Sequence, residues 1–243
     1  MLAHPPLINY GTTDEGWSTF RPRVEQLCQR ADVRRVCEVG GGGDPLLPLE
    51  FTRRHDIEYV VLDISEEELA KAPDGYRKVQ GDIGSAAFAL RGEFDLVISK
   101  MLAEHVRDGR QLHRNIHQLL RPGGLAFHFF PTLFAPAFVA NCLLPTELSG
   151  AILSNLQPDR GVGGRNGKFP AYYSWCRGPT RQQIQRLESE GYRVLIYDGF
   201  FGTHGYYARV GLGWADDWIT TKLVGRPLPA LTAFAQVTLE RAN

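Results

Sequence analysis

The chain has 243 residues, of which 43% are hydrophobic, so it is long enough for one well-packed α/β domain. Lysine plus arginine and aspartate plus glutamate both number 27, and this balance argues against a general nucleic-acid or anionic-membrane binder. The four cysteines lie far apart without a CxxC pair, so they indicate neither a zinc site nor a disulfide framework. We therefore expect a cytoplasmic protein without a signal peptide, a transmembrane segment or a metal centre.

Helical and strand patterns alternate along most of the chain, which predicts parallel strands with helices on both faces of the sheet. A first helix is predicted over residues 20–31, and Pro45 suits the first turn of a second helix. Seven strands are predicted over residues 35–39, 58–63, 76–79, 94–99, 125–130, 192–198 and 231–240. Further helices are predicted over residues 108–120, 136–144, 148–156, 180–191 and 215–224.

The end of the first predicted strand carries the most informative motif, a carboxylate followed by a run of four glycines. Such a turn lets a nucleoside-like ligand touch the backbone directly, because no Cβ blocks its approach. A dinucleotide fingerprint needs a third glycine, but Pro45 or Leu46 stands at that position, depending on the frame. The spacing is instead acid-x-Gly-x-Gly, formed by Glu38, Gly40 and Gly42. A carboxylate here would repel a pyrophosphate but suits a ligand that carries an ammonium and a sulfonium.

This turn resembles motif I of the class I S-adenosylmethionine-dependent methyltransferases, and the resemblance extends over roughly residues 33–131. It implies a three-layer, Rossmann-like α/β fold whose seven strands have the order 3-2-1-4-5-7-6, with strand seven antiparallel. It also implies that Glu38, Gly40 and Gly42 hold the methionine portion of S-adenosylmethionine.

Two further acids follow strands in the positions that the resemblance requires. Asp63 ends the second predicted strand, where an acid accepts hydrogen bonds from both ribose hydroxyls. Asp82 resembles the third motif, in which the acid takes the adenine amino group and the next residue, Ile83, lies against the ring. The predicted cofactor contacts are completed by Ile64, Ser99 and Lys100.

Residues 99–106 resemble the fourth motif, which often ends in Leu-Glu-His-Val, although Ala103 stands here in place of the leucine. Methyl transfer to a hydroxyl group requires removal of a proton, and histidine suits that task near neutral pH. We predict His105 or His204 as the general base, while a structural role for His105 remains an alternative. His113 and His117 are four residues apart, but without a third ligand they are predicted to be polar helix surface rather than a metal site.

Residues 132–178 are too long for an ordinary connection and are rich in proline, glycine and aromatic residues. We predict that they form a lid and substrate-binding insertion within a single domain spanning residues 1–243. Its Tyr172, Tyr173 and Trp175 would line the acceptor site, and Arg177 would pair with an acidic group. The alternative is an aromatic surface loop folded over the core.

The predicted function is therefore methyl transfer from S-adenosylmethionine to a small-molecule or glycan-like acceptor. Oxygen is preferred over nitrogen because no Asn/Asp-Pro-Pro-aromatic signature follows the fourth strand, and carbon stays open. A catalytically silent, cofactor-binding accessory or regulatory protein is the alternative of a different class. A nicotinamide oxidoreductase is disfavoured by the missing third glycine. The oligomeric state stays open.

Overall fold

The computed structural model describes residues 5–92, 94–133, 170–203 and 213–242. These residues contain eight strands: β1 (Leu7–Thr12), β2 (Arg35–Val39), β3 (Glu58–Asp63), β4 (Arg77–Gln80), β5 (Phe94–Lys100), β6 (Leu120–Pro131), β7 (Tyr192–Phe201) and β8 (Phe234–Arg241). They also contain six α-helices: α1 (Thr13–Cys28), α2 (Leu49–Arg54), α3 (Glu66–Lys71), α4 (Gly109–Leu119), α5 (Arg181–Ser189) and α6 (Gly213–Gly225). Short 3-10 helices span Ala103–His105 and Pro229–Leu231. None of the described helices is both long and apolar enough to cross a lipid bilayer.

All eight strands join one sheet in the order β1-β7-β8-β6-β5-β2-β3-β4. Strand β8 runs antiparallel to β6 and β7, while the other neighbouring pairs are parallel. The seven predicted strands are β2 to β8, and their predicted order, with the last strand antiparallel, is confirmed.

The predicted number of strands is wrong by one, because β1 adds an eighth strand beside β7. It pairs in parallel, with Leu7 opposite Ile196 and Thr12 opposite Phe201. Only Gly11 of its six residues is buried, so the segment has no alternating hydrophobic pattern from which a strand could be predicted.

Two helix starts also differ from the prediction. Helix α1 begins at Thr13 instead of residue 20, because Thr12 and Glu15 form a capping box: the Glu15 N–H donates to Thr12 Oγ1 at 3.3 Å and the Thr12 N–H to Glu15 Oε2 at 2.7 Å. Helix α2 begins at Leu49, so Pro45 lies outside any helix. Helix α3 has no counterpart among the predicted elements, and the two helices predicted within residues 136–156 lie outside the described residues.

The sheet separates two apolar clusters, as expected for a three-layer α/β fold. One cluster joins alternate residues of the strands to α4 and α5, and it includes Cys37, Val60, Val97, Ile116 and Leu187. The opposite cluster contains the intervening strand residues and the apolar side of α1, including Val36, Val61, Leu96, Phe20 and Val24. Neighbouring residues of β2 thus face opposite apolar layers. Polar side chains that could bind a ligand are therefore expected at the ends of the strands.

A buried polar network attaches β1 and α1 to the rest of the sheet. Asp198 of β7 is 2% exposed, forms an ion pair with Arg23 of α1, and accepts a 2.6 Å hydrogen bond from Asn9 Nδ2 of β1. Arg23 Nη1 also donates to Gln236 Oε1 at 2.8 Å, and Gln236 Nε2 donates to the Gly16 carbonyl at 2.7 Å. Residues 9–23 are therefore part of the folded domain.

Candidate functional site

The residues predicted to bind a cofactor lie at one edge of the sheet. Because β2, β3, β4 and β5 are parallel neighbours, their carboxyl ends meet there, which is where open α/β sheets bind ligands. Loops that follow different strands make close contact: a Cβ added at Gly42 would lie 3.4 Å from Asp63 Oδ2, and one added at Gly84 would lie 2.8 Å from Val106 Cγ1.

The turn after β2 depends on glycine for its backbone conformation and its close packing. Gly40 and Gly42 have φ angles of 78° and 46°, in the left-handed region that glycine adopts without strain. A Cβ at Gly40 would lie 2.8 Å from Leu102 Cδ1, in the loop after β5. The Gly40 N–H donates to the Leu62 carbonyl at 2.7 Å, which fixes the turn to β3. The result is a tight cradle between two strand ends, in which Gly40 is exposed and Gly42 is buried.

The Glu38 carboxylate lies beneath this cradle and is only 5% exposed. Glu38 Oε2 accepts hydrogen bonds from the Tyr59 hydroxyl at 2.7 Å and from the Leu46 N–H at 3.0 Å. Burial raises the pKa of the Glu38 carboxyl, and these two hydrogen bonds oppose that shift. A Cβ at Gly41 would lie 2.9 Å from Glu38 Oε2, so the acid and the turn are in direct contact.

Asp63 is half-buried at the end of β3 and faces the glycine turn. Its Oδ1 accepts a hydrogen bond from the Ser65 N–H at 2.9 Å, while Oδ2 points toward Gly42. Ile64 follows with 62% of its surface exposed. The two oxygens together offer the paired acceptors that a ribose diol requires.

Asp82 and Ile83 occupy contrasting environments after β4. Asp82 is exposed, and its Oδ1 accepts a hydrogen bond from the Gly84 N–H at 2.8 Å. Ile83 is 5% exposed, and its carbonyl accepts a hydrogen bond from Asn115 Nδ2 at 2.7 Å. The acid is accessible to a ligand, whereas the Ile83 side chain belongs to the apolar cluster on the α4 side.

At the end of β5, the two predicted cofactor residues contact other parts of the fold. Ser99 is 2% exposed, and its Oγ lies 2.8 Å from Nδ1 of His128 in β6. Lys100 Nζ lies 4.9 Å from the centre of the Trp17 ring, a cation–π contact with α1. The sequence did not predict this contact, because the first helix was predicted to begin at residue 20, after Trp17. The capping box at Thr12 was the signal that could have placed it in the helix.

His105 lies in the 3-10 helix that follows β5. Its Nδ1 lies 2.9 Å from the Pro170 carbonyl, and because a carbonyl only accepts, Nδ1 carries the hydrogen in this contact. Nε2 of the neutral ring then holds the lone pair, 3.7 Å from Oε1 of the buried Glu104. The sequence analysis gave Glu104 no role. His204, the other predicted base, lies outside the described residues.

Residues 170–178 pack against the same 3-10 helix. The N–H groups of Tyr172 and Tyr173 donate to the Glu104 carbonyl at 2.7 Å and 3.1 Å. The Gly109 N–H donates to Ser174 Oγ at 3.0 Å, and a Cβ at Gly109 would lie 2.4 Å from the Ser174 carbonyl oxygen. This part of the predicted lid thus lies beside the β5 end, whereas residues 134–169 lie outside the described residues.

The four predicted acceptor residues differ in accessibility. Tyr172 is 40% exposed, and its ring lies 5.4 Å from the Arg107 guanidinium carbon. Tyr173 is only 4% exposed, and Trp175 is half-buried. Arg177 Nη1 donates to the Tyr173 carbonyl at 2.8 Å, so part of this guanidinium group holds its own loop. Tyr172 presents the largest fraction of its surface to a ligand.

The prediction that His113 is polar helix surface is wrong. Its ring is 5% exposed and lies 5.8 Å from that of the buried His128 and 5.8 Å from that of Trp175. Burial lowers the pKa of His113 to about 4 and that of His128 to about 3, so both rings are neutral near pH 7. The partner His117 is half-buried. Within the described residues, no group of three His, Cys, Asp or Glu side chains is arranged to hold a metal ion.

Comparison with protein families matches residues 37–128 to a family described as "Methyltransferase domain". Two relatives from Mycobacterium sp. strains KMS and JLS, each named an uncharacterized methyltransferase, are 35% and 34% identical over 106 residues. The aligned part is 42% of this chain and 41% of each relative, so the chain spans about two fifths of the length of the curated relatives it matches.

Solved structures resemble nearly the whole chain at low sequence identity. An S-adenosylmethionine-dependent methyltransferase from Mesorhizobium loti has a TM-score of 0.51 and 19% identity, and the match covers 90% of this chain and 96% of that one. A geranyl diphosphate C-methyltransferase from Streptomyces coelicolor has a TM-score of 0.57 and 11% identity, with 93% and 79% covered. At these identities the similarity establishes the fold.

Proposed function

We propose that this chain is a class I S-adenosylmethionine-dependent methyltransferase, as the methyltransferase-domain match over residues 37–128 supports, and that it methylates a hydroxyl oxygen of a small-molecule or glycan-like acceptor. The observation that carries the cofactor assignment is the contact between the glycine turn and Asp63. A Cβ at Gly42 would lie 3.4 Å from Asp63 Oδ2, so the carboxylate borders the cradle at van der Waals distance.

The residues at this edge fit the proposed cofactor. Glu38 places a carboxyl group beneath the turn, where its negative charge, when ionised, attracts an ammonium or a sulfonium. Gly40 is exposed in the turn, so a ligand can approach its backbone, and Asp63 offers two acceptors to a ribose. Asp82 is exposed and could accept from the adenine amino group.

S-adenosylmethionine, when bound, supplies an electrophilic methyl group. His105 is the proposed general base, because its Nδ1 contact with the Pro170 carbonyl leaves Nε2 as the basic atom. Nε2 would accept the hydroxyl proton of the acceptor as the acceptor oxygen takes the methyl group, whose bond to the sulfonium sulfur would break to release S-adenosylhomocysteine. Glu104 Oε1, 3.7 Å from Nε2, then stabilises the positive charge on the ring. This proposal assigns no step to a divalent metal, so activity should survive EDTA.

The function is tested by a binding measurement followed by a search for product. Calorimetry should detect S-adenosylmethionine binding and no comparable binding of a nicotinamide dinucleotide. A panel of hydroxylated small molecules and saccharides, with radiolabelled methyl donor, should then yield a methylated oxygen. Tight cofactor binding without product across a broad panel would favour the catalytically silent, regulatory alternative.

The base is tested by His105→Gln, which should lower kcat by about 10²-fold or more with little change in cofactor affinity. His55→Gln, at the end of α2, is the matched control and should leave kcat unchanged. Equal kcat values for the two variants would show that His105 is not the general base and would leave His204 as the candidate.

We also propose that residues 132–178 act as a lid over the acceptor site within a single domain. The exposed Tyr172 ring beside Arg107 supports this proposal, because it offers an apolar wall next to His105. Tyr172→Ala should raise the acceptor KM while preserving cofactor affinity, and cofactor plus acceptor analogue should slow limited proteolysis within this segment. Unchanged cleavage and an unchanged KM would contradict the lid.

A further inference from the structure

A cavity of about 490 Å³ opens at the edge of the sheet opposite the glycine turn. Arg35, at its wall, is the first residue of β2, whereas the glycine turn follows the last residue of that strand. Arg241 is the last residue of β8, which runs antiparallel, so it reaches the same amino-terminal edge. Four of the seven lining residues are arginines, namely Arg35, Arg91, Arg121 and Arg241, and we call this cavity the arginine pocket.

Two of the four arginines in the arginine pocket are neutralised by carboxylates of the fold. Arg121 Nε lies 2.5 Å from Asp95 Oδ1, and the same carboxylate accepts from the Arg35 N–H. Arg35 Nε lies 3.1 Å from Glu58 Oε2. These pairs connect the starts of β2, β5 and β6, so they serve the sheet itself.

The other two arginines are oriented by uncharged acceptors. Arg241 Nη1 donates to the His117 carbonyl at 3.2 Å, and Arg91 Nη1 donates to the Phe88 carbonyl at 3.0 Å. Over the residues that the structure describes, neither guanidinium group forms a salt bridge with a carboxylate. Carbonyl groups hold a guanidinium in place without cancelling its charge, so the arginine pocket has two positive charges that these ion pairs do not neutralise.

We propose that the arginine pocket binds the phosphate monoester group of a small molecule. Two guanidinium charges that form no salt bridge among the described residues match the roughly two negative charges of such a group near neutral pH. Guanidinium groups bind phosphate oxygens through paired, charge-assisted hydrogen bonds. The volume lies within the range of small-molecule pockets. None of the seven lining residues is aromatic, so the arginine pocket offers no aromatic ring against which a nucleobase could stack, and its positive charge favours the phosphate as the group recognised.

Inorganic phosphate is the probe for this site. At constant ionic strength set with sodium chloride, ³¹P NMR titration should give saturable binding of one phosphate per chain, stronger at pH 8 than at pH 5.5. A saturating concentration of S-adenosylhomocysteine should leave the phosphate affinity unchanged, because the arginine pocket and the glycine turn lie at opposite edges of the sheet.

Arg91→Gln should raise the Kd for phosphate by about tenfold or more, as expected when a hydrogen bond to a charged group is lost. Arg241→Lys keeps the charge but loses the planar fork, and should weaken binding by a smaller factor. Arg226→Gln, which removes the same charge from an exposed position outside the cavity, is the matched control and should bind like the parent protein. Each variant is first checked for an unchanged circular dichroism spectrum and Tm.

Three results would overturn the proposal. Binding that does not saturate would mean a general ionic effect. Equal weakening in Arg91→Gln and Arg226→Gln would mean that net charge, and not the arginine pocket, attracts the anion. Displacement of phosphate by S-adenosylhomocysteine would place the anion at the glycine turn.

Discussion

Two buried carboxylates, Glu38 of β2 and Asp198 of β7, show how the two halves of the sheet use similar groups differently. Glu38 is 5% exposed and Asp198 is 2% exposed. Glu38 accepts hydrogen bonds from the uncharged Tyr59 hydroxyl and Leu46 N–H. Asp198 forms an ion pair with Arg23 and accepts a hydrogen bond from Asn9.

The two carboxylates therefore differ in role: the charge of Asp198 is paired within the fold, whereas the charge of Glu38 can be paired by a ligand. The charge on Asp198 is compensated inside the fold, where it joins β1 and α1 to the sheet. The charge on Glu38 faces neutral donors, and burial raises the pKa of its carboxyl group. A cationic ligand in the adjacent turn would compensate it, so we expect the first group to affect stability and the second to affect cofactor binding.

The largest effect is expected from Arg23→Met, which leaves Asp198 buried without its cation. The free energy of unfolding should fall by about 3 kcal/mol in urea titrations, the lower end for a broken buried pair, because the Arg23 side chain is 38% exposed. Cofactor affinity of the folded fraction should be unchanged. Asp198→Asn removes the charge and keeps a side chain of similar size, so its loss should be smaller. Equal stability of Arg23→Met and the parent protein would contradict a structural role for this pair.

Asp63→Ala should have the next largest effect, and only on binding. Loss of the ribose acceptor should weaken S-adenosylmethionine binding by about 1.5–3 kcal/mol in calorimetry. Asp63→Asn is the control, because its remaining oxygen can still accept from the Ser65 N–H and preserve the local turn. Unchanged affinity for S-adenosylmethionine in the alanine variant would show that Asp63 does not bind the ribose.

Glu38→Gln should change stability and binding in opposite directions. Because the folded pKa is raised above the unfolded one, the carboxyl favours folding below the unfolded pKa, and that contribution is lost as pH rises through the folded pKa. A neutral amide avoids the buried charge at pH 7, so the Tm of the ligand-free protein should rise. Affinity for S-adenosylmethionine should fall about tenfold, since the variant lacks the negative charge. A lower Tm with unchanged cofactor affinity would show that Glu38 stabilises the fold and does not contribute to cofactor binding.

The smallest effect on stability should come from His113, a buried histidine of α4. The unfolded chain binds a proton here below about pH 6.5, whereas the folded chain does so only near pH 4, so stability falls as pH drops between these values. His113→Leu should reduce the loss of unfolding free energy between pH 7 and 5.5 by about 1 kcal/mol. Parallel pH profiles for the variant and the parent protein would show that His113 does not titrate in this way.

The central sheet could be predicted from the sequence because its signals are local. Strands β2, β3, β5 and β6 carry apolar runs, and an acid or a glycine turn marks the ends of β2 and β3. The order of β2 to β8 followed from the family resemblance that these motifs support. The positions of Gly40, Gly42 and Asp63 at one edge then follow from parallel pairing alone.

The alternation of apolar runs with glycine turns and acids was enough to determine the α/β class and the edge that carries the candidate cofactor site, and the family resemblance carried by these motifs added the order of seven strands. Only the tertiary structure decided that residues 7–12 form β1, because an edge strand with one buried residue is held by its neighbour and by Asp198 rather than by its own pattern. It also decided that His113 is buried, since Trp175 and Tyr192 cover a helix face that appears polar in the sequence. The arginine pocket combines residues from four segments that are distant in the sequence. These residues come together because β2 and β6 begin, and β8 ends, at the same edge of the sheet.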